Sequence, residues 1–138
     1  SSEYLDTDDI FKTCRESKDK YKTICYAYIS KFYIHNDMGN HSEGVEKCLT
    51  IENNNFRNAC VEGFSGNYIN KNIADPSSAL SLCSRIPDNI SYLCKRSMAG
   101  YLTMHKSNVS AGMEFCKKQV PNSTEQCLRK VNQAGSLL

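Results

Sequence analysis

Apolar residues recur at helical spacing along this chain, and the pattern is clearest between residues 75 and 90. Four of them stand at i, i+3, i+4 and i+7, the spacing of an amphipathic helix: Ala79, Leu82, Cys83 and Ile86. A capping residue followed by proline, Asp75-Pro76, predicts the start of this helix, and Pro87-Asp88-Asn89 predicts its end. The pattern therefore predicts a short helix of about 10 residues.

The same pattern returns four times, and the cysteines mark its period. The eight cysteines fall in four pairs: Cys14/Cys25, Cys48/Cys60, Cys83/Cys94 and Cys116/Cys127. The first cysteines of successive pairs are 34, 35 and 33 residues apart, a period typical of helical repeats. Mainly apolar residues also recur at helical spacing before and after each second cysteine, and they predict a longer helix of about 15–18 residues. Each repeat is therefore predicted to hold a short helix A, a turn and a longer helix B.

These features predict an all-α fold of four tandem helical hairpins, arranged as an α-solenoid or as a compact right-handed helical array. One disulfide per hairpin is predicted, because the cysteines of a pair flank the A–B turn, where the antiparallel arms come together. One pair is 12 residues apart rather than 11, and one extra turn residue in Glu52-Asn53-Asn54-Asn55 explains the difference. We expect a single repeat domain over residues 1–138, with repeats at about 5–38, 40–73, 75–107 and 108–138.

Cysteine usage also predicts the compartment. Cysteine metal sites favour Cys-x-x-Cys spacings, which do not occur in this sequence, whereas evenly paired cysteines at long spacing favour disulfides. Disulfides favour a secreted, periplasmic or cell-surface location. No apolar run approaches the roughly 18–20 residues of a membrane span. No signal peptide is visible, and the start Ser1-Ser2-Glu3-Tyr4 suits a mature product.

Four Asn-x-Ser/Thr sequons are candidate glycosylation sites, and they begin at Asn40, Asn89, Asn108 and Asn122. All four lie at predicted helix starts. An Asn at such a position also caps exposed backbone N–H groups, so helix capping is the alternative interpretation.

Two further patterns within helix B predict packing. Gly66 and Gly100 follow the second cysteine by six positions and predict close helix approach, with fraying or bending as the alternative. Five tyrosines recur along helix B: Tyr28, Tyr33, Tyr68, Tyr92 and Tyr101. Tyr33, Tyr68 and Tyr101 are predicted to be core residues with hydroxyls at the rim. Tyr28 and Tyr92 either join that core or line a partner surface.

The period and hairpin layout resemble tetratricopeptide-like α-solenoids. The cysteine arrangement is similar to the bacterial cysteine-rich branch of those repeats, in which each hairpin carries its own disulfide. The residues that carry the resemblance are the four cysteine pairs, Gly66, Gly100, Tyr33, Tyr68 and Tyr101. The resemblance implies an extracytoplasmic protein or peptide binder and transfers no catalytic residue. The segment 94–101 also resembles the cysteine-rich helical domains of growth-factor co-receptors, which are a second candidate family.

Candidate chemistry is scarce in the sequence. It contains no glycine-rich phosphate loop, no His-Glu-x-x-His and no Gly-x-Ser-x-Gly, so we predict no enzyme and no cofactor. One loop gathers ligand-type side chains, and its candidate metal ligands are His35, Met38 and His41. Imidazole with thioether suits copper, and an incidental polar loop is the alternative.

Charge is unevenly distributed along the chain. Residues 1–69 carry 8 Lys and Arg against 11 Asp and Glu, a net charge of −3, whereas residues 70–138 carry 9 against 4, a net charge of +5. The basic residues are dispersed, and together with the predicted disulfides this argues against a nucleic-acid partner. An acidic half and a basic half would let copies stack head to tail, and an accidental imbalance is the alternative.

The sequence therefore predicts an extracytoplasmic protein-binding or assembly module without catalytic activity. Its partner would be another protein or further subunits in a homo- or hetero-oligomer. One alternative is a structural subunit of a surface filament, array or membrane complex, associated peripherally with the membrane and without a transmembrane segment. The other alternative is a copper-binding or carrier protein that uses the His35–His41 loop.

Overall fold

The structure, a computed structural model, describes residues 8–138. Over that range it contains eight α-helices and no β-strand, so the predicted all-α class is confirmed. The helices form four A–B pairs, which we number as hairpins 1 to 4. The pairs are α1 (Lys12–Glu16) with α2 (Asp19–His35), α3 (His41–Cys48) with α4 (Asn54–Asn72), α5 (Pro76–Ser81) with α6 (Ser91–Lys106), and α7 (Val109–Gln119) with α8 (Thr124–Gly135). Residues 5–7 of the first predicted repeat lie outside the described residues.

Each hairpin carries one disulfide across its A–B turn. The bridges are Cys14–Cys25, Cys48–Cys60, Cys83–Cys94 and Cys116–Cys127, the four predicted pairs. The bridged Cα atoms lie 5.4 to 5.6 Å apart. Helices as short as α1 are marginal by themselves in water, so a covalent tie to a longer helix contributes much of their stability.

The predicted helix in hairpin 3 forms over the predicted residues. Asp75 caps it and Pro76 is its first residue. The α-helix continues as a 3-10 turn over Leu82–Arg85, which completes the predicted length of about 10 residues. All four residues of the predicted apolar stripe are buried.

Three of the A helices begin on a side-chain cap at the same place in the repeat, eight residues before the first cysteine. The caps are Asn40, Asp75 and Asn108. The Asn40 Oδ1, for example, accepts a hydrogen bond from the Glu43 N–H at 2.8 Å. The cap satisfies an N–H that the helix itself leaves without a partner. Asp6 is the equivalent residue of hairpin 1 and lies outside the described part of the chain.

The chain divides into two compact units, which we call the N-terminal unit (residues 1–67) and the C-terminal unit (residues 68–138). The boundary falls within α4. Two predictions stay predictions: that the hairpins wind as a solenoid, and that the two units form one domain.

Helix packing in both units depends on a glycine four residues before a first cysteine. In the N-terminal unit a Cβ on Gly44 would overlap the ring of Phe64, which is fully buried. In the C-terminal unit a Cβ on Gly112 would overlap the Thr103 hydroxyl and would crowd Val131. Phe64 and Val131 both stand four residues after a second cysteine, so the repeat places the same contact in both units.

The close helix approach predicted at Gly100 is present, although an alanine would also fit there. A Cβ on Gly100 would lie 3.8 Å from the Lys130 carbonyl oxygen, which is ordinary van der Waals distance. Gly66 is buried in α4. A tighter approach, which was not predicted, occurs at Gly63, where a Cβ would overlap the backbone carbonyl of Ala27. Gly63 brings α4 against α2 because it presents no side chain to that carbonyl.

Candidate binding surfaces

A ridge of exposed apolar side chains runs along α2. Its members are Tyr21, Ile24, Tyr28 and Phe32, each between 46% and 59% exposed. At 3.6 residues per turn they fall within an arc of about 80° and extend over about 16 Å. Because large exposed apolar patches often serve as interaction sites, this shared face is a candidate binding surface. We call these four residues the α2 ridge.

The opposite side of α2 fixes the ridge in place. The buried residues of α2 are Tyr26, Ile29, Ser30 and Tyr33. The Cys14–Cys25 bridge ties the same helix to α1. The ridge is therefore presented by a helix that is anchored in the core of its unit, and a partner would meet a preformed surface.

Positive charge flanks the ridge. The Lys20 ammonium lies 5.0 Å from the ring centroid of Tyr21, and the Lys31 ammonium lies 4.7 Å from that of Tyr28. Both distances fit cation–π contacts. Asp19 is the acidic residue of α2, and it projects from the far side of the helix, 3.7 Å from the Lys22 ammonium.

The residues at equivalent positions of later repeats show what the ridge positions contact there. Tyr28 stands three residues after a second cysteine, the position of Gly63 in α4 and of Lys130 in α8. Both equivalents contact the preceding helix B: Gly63 packs against Ala27 of α2, and the Lys130 carbonyl faces Gly100 of α6.

The equivalent of Ile24 also contacts the preceding helix B. Ile24 stands one residue before a second cysteine, as Gln126 does in α8, and the Gln126 Oε1 accepts a hydrogen bond from Arg96 of α6 at 3.1 Å. In hairpin 3 the equivalents of the first three ridge residues are Ile90, which precedes α6, and Leu93 and Ser97 of α6, and all three are buried. The α2 ridge thus occupies positions at which later helices B pack, but on α2 it is exposed to solvent.

A second surface is a groove beside the A–B turns, which the repeat builds once in each unit. In the N-terminal unit it is a cavity of about 490 Å³. Its lining residues are Phe11, Arg15, Lys22, Tyr26, Phe56 and the turn 50–53. In the C-terminal unit two adjoining cavities of about 370 and 450 Å³ share Asp88, Ser91, Lys95 and Gln119.

The two grooves hold different side chains at equivalent positions. Tyr26 of the N-terminal groove corresponds to Lys95, and Phe56 corresponds to Ser123. The Tyr26 and Phe56 rings stack with centroids 4.9 Å apart and an interplanar angle of 13°. At these two positions the N-terminal groove therefore presents aromatic rings, whereas the C-terminal groove presents an ammonium and a hydroxyl group.

Electrostatics at the rim of the N-terminal groove involve one close ion pair. Arg15 donates two hydrogen bonds to the Asp9 carboxylate, and this contact lowers the pKa of Asp9. Burial raises the pKa of the neighbouring Tyr26 hydroxyl. The Lys22 ammonium donates hydrogen bonds to the carbonyls of Arg15 and Ser17, at 2.6 and 2.8 Å, and so satisfies carbonyl groups at the C-terminal end of α1.

The candidate copper ligands lie where hairpin 1 joins hairpin 2. His35 ends α2, and His41 begins α3 with its Nε2 2.7 Å from the Asn67 Oδ1. In residues 8–138, no group of three or more His, Cys, Asp and Glu side chains is arranged to hold a metal ion. Copper binding at His35, Met38 and His41 stays a prediction, and no distance in the structure supports it.

The four sequon asparagines are all exposed. Asn40 and Asn108 cap helices through their side-chain oxygens, as the alternative interpretation proposed. Asn89 and Asn122 lie in A–B turns and line the cavities of the C-terminal groove. Glycosylation of any of them stays a prediction.

The predicted tyrosine roles hold in part. Tyr33 is core, with 1% of its surface exposed, and its hydroxyl has no hydrogen-bond partner. Tyr68 and Tyr101 are half-buried rather than fully enclosed. Tyr92 packs against the core of the C-terminal unit. Tyr28 belongs to the α2 ridge.

Comparison of the chain with protein-family models, curated proteins and solved structures finds no match. The resemblance to tetratricopeptide-like repeats stays a prediction. Among the described helices, none is both long and apolar enough to cross a membrane.

The sequence analysis did not predict the α2 ridge. Its residues are spaced at i, i+3, i+7 and i+11, which forms a second apolar stripe on a helix that already carries one. Two stripes on one helix indicate that it packs on two sides. The sequence does not say which side the chain itself covers.

Proposed function

We propose that this protein is an extracytoplasmic protein-binding or assembly module that performs no catalytic step. The observation that supports the proposal is the α2 ridge, a preformed apolar surface at positions that pack against a neighbouring helix in later hairpins. Tyrosine is enriched at protein interfaces, and a rigid anchor of this kind loses little entropy on binding.

The four disulfides indicate an oxidising compartment. We propose secretion, the periplasm or the cell surface as its location. The candidate sequons are consistent with any of these that supports glycosylation.

Site-specific photo-crosslinking in the natural setting of the protein tests the function. A photoreactive phenylalanine analogue replaces Tyr28 in one variant and Leu137 in a control, because Leu137 is apolar and exposed but lies outside the ridge. We expect a discrete crosslinked protein from position 28 and none from position 137. Equal crosslinking at both positions, or none at either, would contradict a ridge-mediated binding function.

The second candidate function is a structural subunit that assembles with its own copies. It is favoured by the charge difference, because the net charges of −3 and +5 coincide with the two units: residues 68 and 69 are uncharged. Oppositely charged units of two copies attract in a salt-dependent way. Analytical ultracentrifugation at low and high salt tests this candidate, and a monomer at every concentration in low salt would exclude it.

A further inference from the structure

We propose that the α2 ridge binds an amphipathic α-helix whose apolar stripe is flanked by acidic side chains, supplied from outside residues 8–138. This inference rests on the proposed binding function and names the chemistry of the partner. Three observations carry it: the register of the ridge, its flanking charge and the size of its side chains.

The repeat positions of the ridge residues indicate that the partner is a helix. The C-terminal unit shows how a helix B seats on the one before it: Gln126 meets Arg96, and four residues later the Lys130 carbonyl faces Gly100. Both contacts join residues 30 apart, so α6 and α8 run parallel. The ridge residues Ile24 and Tyr28 are the equivalents of Gln126 and Lys130. A partner helix parallel to α2 would meet them as α6 meets α8.

Charge identifies the flanks of the partner. The N-terminal unit carries a net charge of −3, yet α2 carries three lysines and one aspartate. Lys20 and Lys31 lie over ridge rings, and Asp19 projects from the other side. Acidic side chains beside the apolar stripe of a partner would pair with these ammonium groups. Two such pairs together would account for a change in affinity of up to about tenfold.

Side-chain size identifies what faces the ridge. Where α4 packs closely on α2, the position equivalent to Tyr28 is Gly63. Tyr28 is far larger, so a close approach of the partner requires small residues on its facing stripe. Alanine on the facing stripe, with leucine beside it, fits this requirement.

A second copy of the chain fits the ridge less well. Pairing two ridges would bring Lys20 and Lys31 of each copy against the same lysines of the other. On α8 the equivalents of Arg96 and Gly100, the α6 residues that meet the next helix B, are the polar residues Arg129 and Gln133, so they would not match the apolar ridge of another copy. An anionic lipid bilayer would attract the lysines but repel the N-terminal unit as a whole, since its net charge is negative.

Binding of synthetic helical peptides to the full chain tests the proposal. The probe is a peptide of about 18 residues, long enough to cover the ridge, with an alanine and leucine stripe flanked by glutamates. Its matched control carries glutamine in place of glutamate. Isothermal titration calorimetry measures both against the wild-type chain, Ile24→Asp, the double variant Lys20→Gln/Lys31→Gln, and the control Leu137→Asp.

We expect the glutamate peptide to bind wild type and Leu137→Asp alike, and the glutamine peptide to bind about tenfold more weakly. Ile24→Asp should weaken the glutamate peptide by about tenfold or more, since it places a charge in the apolar stripe. The double lysine variant should bind both peptides equally. All substituted side chains are exposed, so far-ultraviolet circular dichroism should show an unchanged fold.

Three results would overturn the proposal. The first is equal binding of both peptides to wild type, or binding of neither. The second is binding to phosphatidylcholine vesicles containing phosphatidylglycerol that the glutamate peptide does not displace. The third is a dimer that Ile24→Asp abolishes while the peptides do not bind. Crosslinking from position 28 without peptide binding would leave the binding function standing and remove the acidic-helix partner.

Discussion

The N-terminal and C-terminal units share one scaffold but differ in what they place on it. Both contain bridged A–B hairpins and a side-chain cap eight residues before a first cysteine. In both, the side chain of the residue four positions after a second cysteine packs against a glycine. The N-terminal unit then adds aromatic contacts, such as the edge-on pair Tyr33 and Phe64 with centroids 5.4 Å apart. The C-terminal core cluster instead consists of Ala99, Cys116, Val120, Cys127 and Val131.

The difference separates scaffold from surface. Positions that hold bridges, caps and helix contacts follow the repeat, because each hairpin meets the same packing problem. Positions that line the grooves and the α2 ridge do not follow it. The N-terminal unit has the aromatic groove and the open ridge, so it is the better candidate for partner binding. The C-terminal groove has Lys95 and Ser123 in place of the aromatic rings of the N-terminal groove, and the equivalents of the first three ridge residues in hairpin 3 are buried.

Removing one bridge from each unit should produce the largest effect. The double variants Cys14→Ala/Cys25→Ala and Cys116→Ala/Cys127→Ala each open a short loop, which should lower the free energy of unfolding by about 2–4 kcal/mol. The local consequences should differ, since α1 has five residues whereas α7 has eleven and packs Val109, Met113 and Phe115 on the C-terminal core.

Urea unfolding and amide hydrogen exchange measure these two consequences. We expect α1 to lose its protection in the first variant and α7 to keep most of its protection in the second. Equal loss of protection in α1 and α7 would show that helix length and core contacts do not distinguish the hairpins.

Alanine at two helix B glycines should give effects of opposite sign. Gly63→Ala forces a Cβ onto the Ala27 carbonyl, and overpacking of this kind costs about 1–3 kcal/mol even after the gain in helix propensity. Gly100→Ala meets only the Lys130 carbonyl at 3.8 Å and should raise the free energy of unfolding by up to about 1 kcal/mol. Thermal and urea unfolding of the single variants check both values. Destabilisation by Gly100→Ala of the same size as by Gly63→Ala would contradict the packing described for α6 and α8.

The glycines also show what the sequence could predict. Helix pairs, bridges and the Asp75-Pro76 start were predictable because spacing and local chemistry determine them: a cap needs only the next three residues. Close approach was not, because it depends on which face of α4 meets α2. Gly66 and Gly100 share a register position and were predicted on that ground, but the overlap with a facing carbonyl falls at Gly63, three residues earlier than Gly66.

The candidate site was less predictable than the fold for a related reason. Ile24 and Phe32 are as apolar as core residues, and only the register of later hairpins separates the ridge from the core face. The grooves depend on side chains from two hairpins, such as Tyr26 and Phe56, that lie 30 residues apart in sequence. Single-sequence periodicity reports one helix at a time, so it carries no information on such pairs.

Tyr33 and Tyr68 allow the two units to be compared at a single hydroxyl group, because both residues stand eight positions after a second cysteine. The Tyr33 hydroxyl is buried without a hydrogen-bond partner, whereas the Tyr68 hydroxyl donates to the Ser78 carbonyl at 3.2 Å. Tyr33→Phe should therefore be neutral or stabilise the chain by up to about 1 kcal/mol, and Tyr68→Phe should cost about 0.5–1.5 kcal/mol. Urea unfolding checks the order. A larger loss from Tyr33→Phe would reveal a hydrogen bond to the buried hydroxyl.

Alkaline pH should act on the N-terminal unit through its two buried tyrosines, and this is the smallest of the expected effects. Burial raises the pKa of Tyr26 and of Tyr33, and the Glu43 carboxylate raises the pKa of Tyr33 further. A phenol whose pKa is higher in the folded state than in the unfolded state, where it is about 10, stabilises the fold below that value. The contribution is lost as the pH rises through the folded pKa, because the unfolded chain ionises first.

Urea unfolding at increasing pH, followed by tyrosinate absorbance, measures this loss. Tyr33→Phe should make the stability fall less steeply above the unfolded pKa, because it removes one of the two groups. Tyr68 is half-buried, so Tyr68→Phe serves as the matched control at the same repeat position. The described cysteines are all paired, so no free thiol complicates the alkaline range. If Tyr68→Phe flattened the pH dependence as much as Tyr33→Phe, the alkaline sensitivity would not belong to the N-terminal core.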